Sequence, residues 1–434
     1  MKSEVPMIRR FRPIALVAGL SLLPVAAMAQ GHMLHGAGPV NSSMGGAGTA
    51  LLEDSVGALM FNPALLAKVT GNQVTFSTEF FEDAIRIDTT IDTLAGTMEP
   101  TQHLGVIPAF GWMSRHPDKK LALGFGLIGV AGFRTDYFQS NESLLFSQPP
   151  SGFGRIYTDY RLTKIPIALA YQVSPKLSLG ASLNVYYGQF SVAPLPYQVF
   201  DLNANGDRYY PGGGNLVSSW SFAPQLGFHY QATPKLGLAA SITTPQNFDP
   251  YEWNSTFADP ASPRFGLARR IDFDLDGPLI VSFGSAFKLG DKTDLAMDGM
   301  FTKYKGVEGF GSPGGIVDGI VYPFGWRNVW TFKIGARHRI KDKLDLRLGY
   351  NYSQTPLREE VILTGTGAPA TFEHHFCGGF GYRLFPFVSA EASFYYVPRK
   401  HLKGPLPNLD SEVIGTLDTS NQLTSALIGL NFTF

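Results

Sequence analysis

Apolar and polar side chains alternate along much of the chain. From Val329 to Ile340, Trp330, Phe332, Ile334, Ala336 and Ile340 hold one parity and Thr331, Lys333, Gly335, Arg337 and Arg339 the other. That period of two is a β-strand with one apolar face. The next segment repeats it, with Leu344, Leu346, Leu348, Tyr350 and Tyr352 opposed to Asp345, Arg347, Gly349 and Asn351. In the last segment Ala426, Ile428, Leu430, Phe432 and Phe434 oppose Ser425, Gly429, Asn431 and Thr433. A sandwich in water alternates in the same way, so alternation alone does not say which face meets water.

The connections narrow the choice. Short turns occur at 116–121, 174–177, 233–236, 290–293, 341–344 and 384–387, most of them Pro/Asp-Lys variants leading into a strand. Roughly 45 to 60 residues separate successive turns, enough for two strands and one long loop, the plan of an outer-membrane barrel. Six turns each join a strand pair, and the first and last strands bring the total to 14, all antiparallel, with both termini on the short-turn side. The pattern predicts strands near 73–87, 104–115, 120–133, 160–173, 176–190, 217–231, 235–244, 267–288, 293–304, 328–340, 343–353, 372–384, 387–396 and 423–434. Phe434 ends the chain in phase with the apolar face, as a closing strand requires.

The N-terminus supplies the route to that membrane. Lys2, Arg9, Arg10 and Arg12 precede the apolar run 14–25, and Ala27-Met28-Ala29 follows, the layout of a secretory signal peptide over 1–29. The run is shorter than the ~20 apolar residues of a spanning helix. Cleavage after Ala29 leaves 405 residues with 31 basic and 34 acidic side chains, a formal charge of −3. The whole chain has 35 of each, so no basic excess points to nucleic acid. Charged residues are 16% and aromatics 13%, with 48 glycines and 30 prolines, a turn-rich β composition. A single cysteine, Cys377, excludes an internal disulfide framework.

Residues 30–72 precede the first strand and carry three charges, Glu53, Asp54 and Lys68, with eight glycines. A segment this apolar does not trail free in water, and a 14-stranded lumen is too wide for wall side chains to fill, so it is expected inside as a plug.

The residues of that segment also carry a resemblance. Gly36-Ala37-Gly38, Ser43-Met44-Gly45-Gly46-Ala47-Gly48, Glu53-Asp54-Ser55 and Phe61-Asn62-Pro63-Ala64-Leu65 resemble the N-terminal hatch of the FadL and TodX family of outer-membrane transporters for long-chain fatty acids and aromatic hydrocarbons. Similarity continues in 275–279 with Pro278, in 330–335 and in 344–356, and so spans essentially the mature chain. The resemblance implies a hatch over 30–72, with Glu53, Asp54, Asn62, Pro63 and Ala64 as its marked residues, inside a barrel over 73–434. It further implies passive uptake of a hydrophobic small molecule across the bacterial outer membrane. The partners expected are that substrate, outer-membrane lipid and the barrel-assembly machinery, with a monomer and no cofactor.

Motifs for other chemistry are weak. No G-x-S-x-G, H-E-x-x-H or Gly-Lys dipeptide occurs, so the common hydrolase, zincin and phosphate-loop signatures are missing and no enzyme is expected. Asp201-Leu202-Asn203-Ala204-Asn205-Gly206-Asp207 opens like a calcium loop, but Gly212 stands where a bidentate Glu is wanted, and a solvated turn is favoured. Asp272, Asp274 and Asp276 alternate with Ile271, Phe273 and Leu275 and read as one polar strand face. His32, His35, His374 and His375 are taken as ordinary polar positions, so no metal is expected.

Three groups of residues are candidates for transport. Leu144, Leu145, Phe146 and Phe153 in one long loop, with Phe248, Tyr251, Trp253, Phe257 and Phe265 in another, are dense enough to form a contact surface, and the resemblance points to substrate capture there. An interfacial aromatic girdle, or loops packing on one another, is the competing reading. In the third strand Gly124 and Gly126 alternate with apolar residues, and the phase breaks through Gly129 and Gly132, as at a bulge or kink. The family implication is a wall opening there, through which ligand leaves sideways. Lys333, Arg337 and Arg347 share the polar parity and are candidate contacts for a ligand head group, against simple lumen polarity balanced by Asp294, Asp298 and Asp345. Family members that carry fatty acids place a basic residue late in strand five, where this chain reads Tyr186-Tyr187-Gly188-Gln189, a departure that leaves neutral hydrocarbons credible. An adhesive barrel binding through its loops is the alternative, and a lipid-modifying enzyme a third.

Overall fold

The computed structural model describes residues 31–198, 200–318 and 320–434, and the expected signal peptide lies outside them. Fourteen strands close into one antiparallel barrel: β1 (Gly71–Asp83), β2 (Gly105–Arg115), β3 (Leu121–Tyr137), β4 (Ile156–Gln172), β5 (Leu177–Ala193), β6 (Gly213–Thr233), β7 (Leu236–Thr243), β8 (Leu279–Lys288), β9 (Thr293–Lys303), β10 (Val329–Lys341), β11 (Leu344–Ser353), β12 (His374–Phe385), β13 (Val388–Pro407) and β14 (Val413–Thr433). Each strand pairs with its neighbour in sequence, and β1 pairs with β14 from Gln73↔Thr433 to Asp83↔Leu423, so the barrel has no free edge.

Parity fixes which face is which. Phe76, Leu123, Phe222, Phe332, Leu348, Phe376, Phe394 and Ile428 are exposed on the outer surface, whereas Thr75, Asn184, Gln225, Asp298, Lys333, Asn351 and Ser425 are buried inside. A continuous exposed apolar band of this kind requires lipid around it.

Three strands depart from expectation. The predicted strand 267–288 is two elements: Ala268–Phe273 pairs with Tyr251–Thr256 as a hairpin outside the wall, and the wall strand starts at Leu279. Between them Asp276 accepts a hydrogen bond from Phe248 N (2.8 Å), Gly277 bridges to Gln246, and Pro278 has no N–H for a ladder. β13 and β14 run well beyond 387–396 and 423–434, because their loop-side ends pair with each other and β14 also takes on the hairpin Arg86–Ile91 and Leu94–Met98.

The N-terminal segment fills the lumen. It forms two short helices, α1 (Gly38–Ser43) and α2 (Ser55–Phe61), then a 3-10 turn over Pro63–Lys68. Asp54 caps α2 by accepting from Gly57 N (2.7 Å). Asn62 ends α2 and caps the next turn, accepting from Ala64 N (3.0 Å), with Pro63 at the first position, where no N–H is needed. The wall is notched to receive this backbone. A Cβ on Gly180 or Gly227 would collide with Asn62, Pro63 or Ala64, and one on Gly335 or Gly349 with Met44 and Gly45.

Candidate functional site

The wall is unzipped between β2 and β3. β3 pairs with β2 only from Ser114↔Leu123 to Ala109↔Ile128, while β2 stays paired with β1 up to Phe81↔Gly105. Pairing stops beside Pro108, which offers no N–H. Beyond Ile128, β3 shifts register against β4 between Gly129 and Ala131, a bulge that turns the strand. That shift falls within the stretch Gly129 to Gly132 of the glycine phase break, and Gly124 and Gly126 face inward against Leu66 and Leu59 of the plug. The backbone freed by the kink is taken up by the N-terminal segment: Leu34 N donates to Val130 O (2.9 Å) and Gly132 N to His32 O (3.0 Å), an isolated bridge of Met33 to Ala131. Ile107 fills the gap against Gly129, and Thr101 N donates to Asp136 O (3.0 Å) above it.

A pocket adjoins the gap from inside. His32, Met33 and Val130 form its side toward the gap, and Met60, Phe61, Leu162, Tyr186 and Met300 line the rest with polar Gln225, Gln246 and Lys164. It encloses about 30 Å³. That is room for a water or two and far less than the ~150 Å³ that admits benzene, so an organic ligand requires movement. Lys164 is 2% exposed and donates to Leu59 O (3.1 Å), Met60 O (3.0 Å) and Gln225 Oε1 (2.9 Å). Its three hydrogens are thereby used on neutral acceptors. No carboxylate lies within 4.0 Å of it among the described residues. Sequence reading passed over Lys164, although it sits on the inward parity of β4; its register partner is Tyr186, in the stretch where the basic residue was missed.

Residues 20–434 match the family described as outer membrane protein transport protein (OMPP1/FadL/TodX). The chain belongs to the OMPP1/FadL/TodX family. It is 20% identical to outer membrane protein P1 of Haemophilus influenzae, over 89% of this chain and 91% of that protein. In fold it is similar to the toluene transporter TodX of P. putida (TM-score 0.70, 18% identity, 92% of this chain and 99% of that one). A FadL homologue of Pseudomonas aeruginosa gives a TM-score of 0.72 at 16% identity over 93% and 99%, and the toluene transporter TbuX of Ralstonia pickettii 0.65 at 19% over 92% and 99%.

In this OMPP1/FadL/TodX barrel Asn62, Pro63 and Ala64 of the plug meet the wall, while Glu53 and Asp54 hydrogen-bond within the plug. Asn62 Nδ2 donates to Thr49 O (2.9 Å) and to Phe228 O of β6 (3.1 Å). Gly48 N and Thr49 N both donate to Asp298 of β9 (2.9 and 2.8 Å). Glu53 accepts from Asn41 Nδ2 (2.7 Å), and burial, with Asp54 beside it, pushes its pKa up to about 8 against the pull of that hydrogen bond. Burial raises Asp54 to about 6 and lowers His32 and His35 to about 3, which keeps both imidazoles neutral.

The three candidate head-group cations already have partners. Lys333 Nζ donates to His35 O (3.2 Å) and lies over the Phe61 ring (4.4 Å). Arg337 pairs with Asp294 (2.6 Å), and Arg347 lies 2.8 Å from Glu391, close but not aligned as a hydrogen bond. None of the three lines the pocket beside the gap.

Most of the loop aromatics turn inward, whereas Phe265 is exposed. Phe146, Phe248, Tyr251 and Trp253 are buried, as is Leu145, while Phe153 and Phe257 are half-buried and Leu144 is exposed. Tyr251 and Trp253 pack on Phe190, which meets Tyr160; His32 stacks on Phe310 at 4.3 Å. These rings form an aromatic lining above the pocket. A second small cavity, about 40 Å³, lies higher among the loops between Leu145, Phe153, Tyr197, Val321 and Leu363.

In the calcium-like loop the side-chain oxygens of Asp201 and Asn203 are taken by protein donors. Asp201 pairs with Arg269 (3.1 Å) and accepts from Ala258 N (2.6 Å), while Asn203 Oδ1 accepts from Asn205 N and Asp207 N (both 2.9 Å).

Proposed function

We propose that this barrel admits hydrophobic small molecules passively, passes them along the loop aromatics to the pocket at Lys164, and releases them sideways between β2 and β3. The observation that carries the reading is the shared wall: Met33 and Val130 line the pocket and also belong to the bridge that closes the gap. Moving His32 to Leu34 away from β3 opens pocket and wall together. Entering ligand meets Leu144, Leu145, Phe146 and Phe153 first, then Phe248, Tyr251, Trp253 and Phe257.

Lys164 points to the substrate class. A buried cation held only by neutral acceptors gains most from an anion, and a carboxylate there would form charge-assisted hydrogen bonds. It would displace the carbonyls of Leu59 and Met60 and so loosen the end of α2. The reading is therefore a long-chain acid, with Lys164 compensating for the absent cation at Tyr186, while Lys333 holds the plug through His35 and Arg337 and Arg347 pair with carboxylates of the wall.

The test is binding of oleate and methyl oleate to wild type and to Lys164→Met. The expected result is a loss of at least tenfold for oleate with the ester changed less than twofold. Equal losses, or none, reject the acid reading and leave neutral hydrocarbons such as toluene as the substrates to assay.

A further inference from the structure

The short-turn end of the lumen, which faces the periplasm in barrels of this plan, holds a cavity of about 470 Å³ beneath the plug. Lys68, Lys235, Lys288, Lys292, Arg337 and Arg339 line it, against Asp291 and Asp294. Asp294 is taken by Arg337 (2.6 Å), and Arg339 is paired with Asp345 (3.1 Å). The four lysines have no carboxylate within 4.0 Å among the described residues. Lys68 ends the plug, donates to Gln231 Oε1 of β6 (3.1 Å), and has its pKa lowered by burial and by the neighbouring charge of Lys288. Like charges have thus been brought together at the joint between plug and wall.

General basicity of the turns does not account for this. Across the same mouth a cavity of about 300 Å³ is lined by two cations, Lys343 and Arg383, against three carboxylates, Asp342, Asp345 and Glu391. The cation excess is confined to the side where the plug ends. Lysines converging on a water-filled recess create a potential that one multivalent anion relieves at several places at once. The recess lies inside the wall, out of reach of lipid phosphates around the barrel, so the occupant is a free solute.

We infer that this vestibule binds a small multivalent oxyanion of the phosphate type, and that the bound anion ties Lys68 of the plug to Lys235 and Lys288 of the wall. The inference does not depend on which hydrophobic substrate the pocket takes. It is tested by titrating inorganic phosphate calorimetrically into the full mature protein in zwitterionic detergent, with chloride matched for ionic strength. Saturable phosphate binding is expected in wild type, weakened at least tenfold in Lys235→Gln/Lys288→Gln and in Lys68→Gln, each verified as a folded, heat-modifiable barrel. Should the double variant fail to fold, Lys288→Gln alone carries the same expectation. In planar bilayers, phosphate on the short-turn side alone should reduce plug-opening events in wild type and not in Lys68→Gln. Heats no greater than the chloride control, or equal affinity in wild type and the lysine variants, overturn the inference.

Discussion

Leu34 N donates to Val130 O at 2.9 Å, so the plug's first residues act as a strand against the kinked β3. Without that contact, β3 would present unpaired backbone to the gap left by β2, a costly state within a membrane. On the lateral route proposed above, the bond that satisfies the wall also holds the exit closed.

Zipping the wall should block transport. Pro108→Val restores an N–H beside the last β2–β3 pair, and Gly129→Val removes the small residue against which Ile107 rests. Each favours a regular pleat. Uptake of a labelled hydrophobic substrate should fall at least fivefold while heat-modifiable mobility on gels persists. Full uptake in both variants would remove the wall opening from the mechanism.

Much of this architecture was legible beforehand, and the reasons differ by residue. The parity of Trp330 against Lys333 and the Asp-Lys turns specify a barrel locally, since both depend on neighbours in sequence. Asn62-Pro63-Ala64 stood out through the family resemblance alone, and the cap in which Asn62 accepts from Ala64 N emerged only with the structure. Lys164 was missed because its importance comes from register with Tyr186 and from carbonyls about 105 residues away at Leu59 and Met60. The burial of Tyr251 and Trp253 was hidden for the same reason: loop packing is long-range. The break before Leu279 was written in Asp276-Gly277-Pro278, but the alternation of Ile271, Phe273 and Leu275 continued up to it and masked the signal.

Asn62 should govern closure more than assembly. Asn62→Ala removes a cap, typically worth about 1 kcal/mol, and leaves the carbonyls of Thr49 and Phe228 without that donor. The expected outcome is a folded barrel with more frequent openings in single-channel records. Deleting residues 30–70 should go further and give a steady aqueous conductance, since no strand is lost. Conductance at the intact level in the deletion would show that the segment does not block the lumen.

Plug stability should fall as pH rises. Glu53 faces Asn41 and Asp54, with Arg337 and Arg347 nearby, and its pKa stands at about 8 instead of near 4.5. A raised folded-state pKa means that the closed plug binds the proton more tightly, so its stability is greatest below about 4.5 and is lost progressively up to about 8. Asp54, raised to about 6, adds the same sign over the lower part of that window. Channel openings should increase from pH 5 to pH 9, and Glu53→Gln should flatten the rise above pH 6 while keeping an acceptor for Asn41. An unchanged pH profile in that variant would assign the dependence elsewhere.

Arg347 should prove structural. Arg347→Ala leaves Glu391 buried without its counter-charge, a change that costs about 3–5 kcal/mol where water is excluded. Denaturant or thermal unfolding should show a clear loss, rescued in part by Arg347→Ala/Glu391→Ala. Substrate affinity of the surviving folded protein should change less than twofold; a selective loss of acid binding over ester binding would return Arg347 to the ligand.

On the lateral route proposed above, transport rests on release of His32 to Leu34 from β3, and a disulfide reports on it. Met33 and Ala131 form a non-hydrogen-bonded antiparallel pair, whose Cα atoms lie about 4.5 Å apart in regular geometry, within the span that a disulfide bridges. In a Cys377→Ser background, Met33→Cys/Ala131→Cys should be assayed for uptake of labelled oleate and toluene by cells, oxidised and then reduced. The expected result is uptake near background when oxidised and recovery to wild-type rates on reduction. Undiminished uptake by the fully oxidised protein would contradict exit through this gap.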